Sequence, residues 1–219
     1  MLNLERNGQV LVATLDDGKA NALSHALIEA LRRAVAEAET DPEVRTLLIV
    51  GRPGRFSAGF DLSVIQSGNP NAVANLIADG GDLVRTVYSA GVPVVAACTG
   101  HALAAGALLL LACDRRIGAD AEVKIGLNEV AIGLALPRWA VSIAAARLSP
   151  THLQASVATA QVYDGQGAVR AGYLDRVVDP DRVVDEALAE ATNLASTLDL
   201  ASYALTIKAL RRQTLEQMT

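Results

Sequence analysis

The chain has 219 residues, 51% of them hydrophobic, and a formal net charge of −5. That length and apolar content suit one compact domain. The charge is too mild to name a partner, and no basic stripe or run of like charge points to nucleic acid. The two cysteines, Cys98 and Cys113, stand in apolar surroundings without ligand-like spacing and read as small core residues. Met1 to Val10 carries charges and a glycine instead of an apolar segment, so no signal peptide is expected. Val92 to Ala112 is about as long as a membrane span. It is broken by Pro93, Gly100, His101 and Gly106, and a buried strand, a turn and a buried helix fit it better. The expectation is a soluble cytoplasmic protein without a membrane partner.

The chain begins as a hairpin. Leu2 and Leu4 lead to Asn7-Gly8, read as a type I′ turn, and Val10, Val12 and Thr14 return. Asp16 to Ala20 is a polar loop. Ser24 is placed to cap a helix running to about Glu39, with Leu27, Leu31 and Val35 on one face, and Asp41-Pro42 ends it. Thr46 to Val50 reads as a buried strand, followed by a glycine-rich loop from Gly51 to Asp61. Ser67 to Asn71 is a further break, then a helix extends to about Ala90. Val92 to Cys98 is a second buried strand, and Gly100 to Gly106 a turn into the aliphatic run Leu108 to Ala112. Ile117 and Val123 to Ile125 are strand candidates. Helices are predicted over Pro137–Leu148, Pro150–Thr159, Gly165–Ala171, Asp181–Ser196 and about Leu200–Met218. Strands alternating with helices define an α/β fold with crossover connections, more helical in its later half. No linker or repeat divides it.

Several chemistries lack their signatures. His25, His101 and His152 are the only histidines, and there is no GxSxG elbow, HExxH motif or His/Cys cluster. His25 and His152 fall at helix starts and read as surface or half-buried. Gly51 to Phe56 lacks the GK[ST] of a phosphate-binding loop, and Gly100 to Gly106 does not fit GxGxxG. No metal and no nicotinamide cofactor is expected.

Two strand-to-turn junctions remain. Phe56-Ser57-Ala58-Gly59-Phe60-Asp61-Leu62 offers small residues that let the backbone approach a ligand, with Asp61 placed to cap the next turn. Gly100-His101-Ala102-Leu103-Ala104-Ala105-Gly106 leads into an apolar helix, whose first N–H groups attract negative charge. Two converging amides form an oxyanion hole, and one such donor is typically worth about 2.7–4 kcal/mol in the transition state. Each junction alone also fits an ordinary tight turn.

These two segments resemble the crotonase superfamily of enoyl-CoA hydratases and isomerases. So do Cys113-Asp114 with Arg116-Ile117, Ile125-Gly126-Leu127-Asn128-Glu129, Asn21-Ala22-Leu23, and Ala171 to Val178. Together they span roughly Val10 to Val178. The resemblance implies a ββα spiral core and site over 1–178, with C-terminal helices over 179–219 that pack a homotrimer or a hexamer of two trimers. Little chain follows the last helix, which bears on those contacts and on the lid over the substrate. No separate cofactor is implied, because coenzyme A enters as part of an acyl-CoA thioester. The resemblance places oxyanion amides at Phe60 and Ala105. It places coenzyme A contacts at Lys19, Ala20, Ser57, Ala58, Gly59, Asp61, Leu62 and Asn128. Lys19 reads equally well as a solvated lysine.

Family hydratases use two glutamates. Here the first position is Leu108, which transfers no proton, and the second is Glu129. The apolar neighbours Val130, Ala131 and Ile132 should raise the Glu129 pKa by desolvation, which suits a general base. A capping or salt-bridged glutamate is the plainer alternative. One carboxylate is enough to move a double bond, and the resemblance is nearest to Δ3,Δ2-enoyl-CoA isomerases. A hydratase-like enzyme of fatty acid metabolism, drawing on Asp79, Asp82 or Glu122 for its second acid, is the runner-up. A non-catalytic acyl-CoA binder is the other alternative. Leu108, Leu136 and Trp139, with Ile65 and Phe60, are candidates to line the acyl pocket.

Overall fold

The computed structural model describes residues 1–218. Its first two strands, β1 (Leu2–Asn7) and β2 (Val10–Leu15), form the expected antiparallel hairpin, with Asn7 opposite Val10. The turn residues are therefore Gly8 and Gln9, not Asn7 and Gly8. Only Gly8 has positive φ (58°). A positive φ at the first central position alone is the type II′ pattern, which corrects the type I′ expectation.

The core is built from a repeated ββα unit. In the first, β3 (Thr46–Val50) and β4 (Gly54–Ser57) precede a short helix α2 (Leu62–Ile65) and the long helix α3 (Pro70–Tyr88). In the second, β5 (Val94–Cys98) and β6 (Gly100–Leu103) precede α4 (Ala105–Ala112). β7 (Arg115–Ala119) and β8 (Ile125–Gly126) begin a third, continued by α5 (Arg138–Arg147). The first strand of each unit joins a six-stranded sheet in the order β1-β2-β3-β5-β7-β9, closed by β9 (Arg176–Val178). The second joins a three-stranded sheet, β4-β6-β8, whose pairings are parallel. The chain thus spirals between two sheets, an α/β crotonase-like fold. Helix α1 (His25–Thr40) connects the hairpin to the first unit.

The central strands are covered on both faces, as parallel strands are. Leu47, Ile49, Val94, Ala96 and Cys98 turn into the main core under α1, α3 and α4. Leu48, Val50, Val95, Ala97 and Ile117 turn the other way, against Val183, Ala187 and Ala191 of α8 (Val183–Thr197). Helices α6 (Pro150–Val157) and α7 (Gly165–Ala171) lie between α5 and β9, and α9 (Leu200–Gln217) ends the described chain. Buried Arg211 fastens α9. It donates to the Tyr88 carbonyl at 2.6 Å, pairs with Asp114 at 2.5 Å and lies 4.3 Å from the Tyr88 ring centroid. Ser24 caps α1 by accepting from the Leu27 N–H, and both cysteines are fully buried, as expected.

The strand expectations change in four places. The glycine-rich loop 51–61 contains β4, and most of the Gly100 to Gly106 turn is β6. The strands of this small sheet are two to four residues long, so no local periodicity marks them. Val123 lies outside β8, and β9 was not anticipated as a strand. No helix among the described residues is long and apolar enough to cross a membrane.

Candidate active site

The three strands of the small sheet run in the same direction, so their C-terminal ends lie along one edge. β4 delivers Ala58-Gly59-Phe60, β6 delivers Ala104-Ala105, and β8 delivers Leu127-Asn128-Glu129. The carboxyl edge of a parallel sheet is where open α/β folds bind ligands. The topology therefore brings Phe60, Ala105 and Glu129 into one region, from positions 45 and 24 residues apart in the chain.

Each junction leaves its amide unengaged. Leu23 forms a parallel bridge to Phe60, in which the Leu23 N–H donates to the Gly59 carbonyl (2.8 Å) and the Asp61 N–H to the Leu23 carbonyl (3.3 Å). In that pattern the peptide groups of Phe60 itself face away from Leu23. Ala105 is the first residue of α4, and its N–H has no residue four back in the helix to donate to. Neither amide donates to a backbone carbonyl among the described residues. The junctions touch through Gly59, whose φ is 93°. A Cβ on it would lie 2.9 Å from the Ala104 Cβ and 3.3 Å from the Ala105 nitrogen. Ala104, a non-glycine at φ 51° and ψ −127°, turns the chain from strand into helix. The two turns thus touch, and each presents an unengaged amide.

The polar loop 16–20 is pinned beside them. Arg52 donates to the Lys19 carbonyl (2.9 Å), and the Ala58 N–H to the Ala20 carbonyl (3.0 Å). Buried Asn21 donates to the Leu15 and Phe56 carbonyls at 2.9 and 3.1 Å. Lys19, Ala58 and Leu62 are exposed, and Asp61 caps α2 by accepting from the Ser63 N–H. The side chain of Ser57, expected among the coenzyme A contacts, faces inward. It is fully buried, and its hydroxyl donates to the Asn21 carbonyl (2.7 Å) and accepts from the Gly59 N–H (3.3 Å).

Glu129 is half-buried, and desolvation pushes its pKa up to about 7, although Val130, Ala131 and Ile132, the neighbours expected to shield it, are themselves exposed. Its Oε2 and the neighbouring Asn128 Oδ1 are buried without a hydrogen-bond partner among the described residues. Glu129 is therefore not salt-bridged. Leu108, one turn into α4, is 1% exposed in the main core. Phe60, Ile65, Leu136 and Trp139 pack partly buried against that core. The Gly80-Gly81 pair of α3 makes room for two of these rings: a Cβ at Gly80 would lie 2.3 Å from Phe60 Cζ, and one at Gly81 2.9 Å from Trp139 Nε1. The other acids considered are at the surface. Asp79 pairs with His25 at 2.6 Å, Asp82 pairs with Arg85, and Glu122 is exposed.

The fold and this edge define an enzyme of the crotonase type. The chain belongs to the enoyl-CoA hydratase/isomerase family, which it matches over residues 5–219. It is 33% identical to a carnitinyl-CoA dehydratase of Salmonella arizonae over 207 residues, 93% of this chain and 78% of that protein. The structure superimposes on an enoyl-CoA hydratase/isomerase family protein from Pseudomonas syringae with a TM-score of 0.95 at 35% identity, covering 99% of this chain and 93% of that one. It superimposes on human mitochondrial Δ3-Δ2-enoyl-CoA isomerase with a TM-score of 0.93 at 26% identity, covering 99% and 85%.

Proposed function

We propose that the protein is a Δ3,Δ2-enoyl-CoA isomerase in which Glu129 is the single acid–base group. The observation that carries this is a Glu129 carboxyl whose Oε2 is buried without a hydrogen-bond partner, together with Leu108, a fully buried aliphatic residue where a second acid would stand. The Glu129 carboxylate takes a proton from C2 of a 3-enoyl thioester. The C2–H electrons move into the carbonyl, and the dienolate oxygen rests on the amides of Phe60 and Ala105. The protonated carboxyl then returns its proton to C4, the electrons come back from oxygen, and a conjugated 2-enoyl thioester remains. A pKa about 7 suits both halves, since the group must accept and release one proton near neutrality. Lys19, Ala20 and the exposed parts of 58–62 hold coenzyme A, with Asn128 beside the thioester. Leu136 and Trp139 line the acyl chain, with Leu108 behind them. Assembly as a homotrimer through the helices after residue 178 belongs to the same proposal.

The name of the Salmonella relative supports a second reading, hydration or dehydration of an acyl-CoA. A panel of 2-enoyl-, 3-enoyl- and 3-hydroxyacyl-CoA esters separates the two. The isomerase reading requires conjugated product from the 3-enoyl ester, lost in Glu129→Gln. Interconversion of the 2-enoyl and 3-hydroxyacyl esters alone would establish the hydratase instead. Tight binding without turnover would make the chain an acyl-CoA binder.

A further inference from the structure

Helix α3 carries two adjacent glycines, Gly80 and Gly81, in its interior, and both are buried. Glycine inside a helix is less favourable than alanine, so the pair calls for a use of the space it leaves. Two rings use it. A carbon added at Gly80 would run into Cζ and Cε1 at the tip of the Phe60 ring. One added at Gly81 would lie 2.9, 3.0 and 3.1 Å from Nε1, Cδ1 and Cε2 of Trp139. Three such nearly equal distances place Gly81 over the face of the indole, not at its edge. Neither ring could keep its place beside a residue that has a side chain.

The rings come from opposite sides of the site. Phe60 is the residue whose own N–H is one of the two unengaged amides, so its ring reaches from that amide to α3. Trp139 is the second residue of α5, ten positions after Glu129. Their seats are consecutive in the chain, with Cα atoms about 3.8 Å apart. The junction that carries the amide and the segment that carries Glu129 are thus brought together at one point on α3. Leu76, one turn before Gly80 on the same face of α3, and Leu108 of α4 are fully buried in the core against which both rings pack. The rings themselves are only partly buried, which leaves apolar surface beside the oxyanion junction.

We propose that Phe60 and Trp139, seated on Gly80 and Gly81, close the far end of the acyl pocket and make this a short-chain enzyme, suited to acyl groups up to hexanoyl. The inference rests on the acyl-CoA reading, in which the thioester carbonyl sits on the Phe60 and Ala105 amides and the acyl chain runs past Trp139. From that carbonyl the chain meets the two rings before it meets α3, and the room that the diglycine leaves is already taken. Trp139 sets acyl length and takes no part in the proton transfers.

The test measures binding of butanoyl-, hexanoyl-, octanoyl- and decanoyl-CoA to the parent, Trp139→Ala and Trp139→Leu by isothermal titration calorimetry. These saturated esters carry no double bond to move, so the ladder reads the pocket independently of the reaction. In an open apolar pocket each further methylene tightens binding about fourfold. The parent should tighten from butanoyl to hexanoyl and then weaken about tenfold by decanoyl, as expected when a chain is forced into filled space. In Trp139→Ala the ring's volume is vacated, and decanoyl-CoA should bind at least as tightly as hexanoyl-CoA. Trp139→Leu frees less volume, should move the optimum to octanoyl, and serves if Trp139→Ala does not fold. A parent that tightens steadily through decanoyl overturns the inference, as do folded variants whose ladders match the parent's. Isomerisation of 3-hexenoyl-CoA is followed alongside. A short-chain ladder without conjugated product overturns the isomerase reading and leaves this inference standing. Conjugated product beside a ladder that keeps tightening overturns this inference alone, and no binding of any ester overturns it together with the acyl-CoA reading.

Discussion

Gly59→Ala sets the two junctions against each other. The new methyl would stand 2.9 Å from the Ala104 Cβ, 3.0 Å from the Leu103 carbonyl oxygen and 3.3 Å from the Ala105 nitrogen. Carbon atoms rest about 3.5–4.0 Å apart, so relief requires a displacement of roughly 0.5–1 Å. Ala104 has little freedom to give way, since its φ of 51° already lies where a side chain is strained. The movement therefore falls on the Ala105 peptide or on Phe60, and separates their amides. A misplacement of about 1 Å costs on the order of 100-fold, close to the about 10²–10³ in kcat that follows removal of one oxyanion donor. The stability cost of alanine at φ 93° is on the order of 1–3 kcal/mol, within the about 5–15 kcal/mol of a typical domain, so the variant folds. Gly68→Ala is the control: its φ is 70° and nothing lies within 4 Å of the added carbon. It should lose similar stability and no activity. The assay is kcat for conversion of a 3-enoyl-CoA to the conjugated ester, with urea unfolding alongside. A folded Gly59→Ala with kcat within about twofold of the parent, where about 100-fold is expected, would refute the reasoning that paired amides at Phe60 and Ala105 hold the enolate.

Glu129 also couples stability to pH. Its folded pKa is raised from 4.5 to about 7, so the folded chain holds a proton that the unfolded chain has lost, and stability falls as pH rises through that window, by about 3 kcal/mol in all. Glu129→Gln should therefore be more stable than the parent in urea at pH 8, with the gap closing near pH 4; a pH-independent gap would contradict the raised pKa. Leu108→Glu places a carboxyl in a site that is 1% exposed, and should lower unfolding free energy by several kcal/mol while adding hydration of 2-enoyl-CoA. A folded variant with no hydration would show that position 108 does not separate the two reactions. Arg211→Ala leaves Asp114 without its 2.5 Å partner and should cost about 3–5 kcal/mol in denaturant unfolding, a value near zero being the contrary result.

The residues that form regular elements were legible. The apolar face of α1 and the fully buried runs of β3 and β5 carry their periods in the sequence, and Ser24 marks a helix start by its side chain. The small sheet was not legible. β4, β6 and β8 are short and glycine-containing, and what makes them strands is partners 23 to 46 residues away. The motifs around Phe60, Ala105 and Glu129 stood out through resemblance, yet it is the small sheet that explains why they meet. Ser57 was expected along the coenzyme A stretch through resemblance alone, and no local signal showed that its side chain is buried. Its hydroxyl in fact ties Asn21 to Gly59.

Helix α4 shows how the fold serves the chemistry at both ends. Every residue from Ala105 to Ala112 is buried, so the helix contributes no side-chain charge of its own. Its orphan amides at one end and carbonyls at the other are all it has to offer electrostatically. At the far end Arg147 donates to the Leu111 and Cys113 carbonyls at 3.0 and 2.8 Å, a use costly enough that burial lowers the Arg147 pKa to about 10. That guanidinium compensates the negative end of the helix. The positive end has no such partner. Ala104 holds a strained backbone conformation there, and the first amide of the helix is left facing the edge of the small sheet. In the proposed function, the open amide end of this helix and the buried, unbonded Glu129 Oε2 are the groups that an acyl thioester would complete.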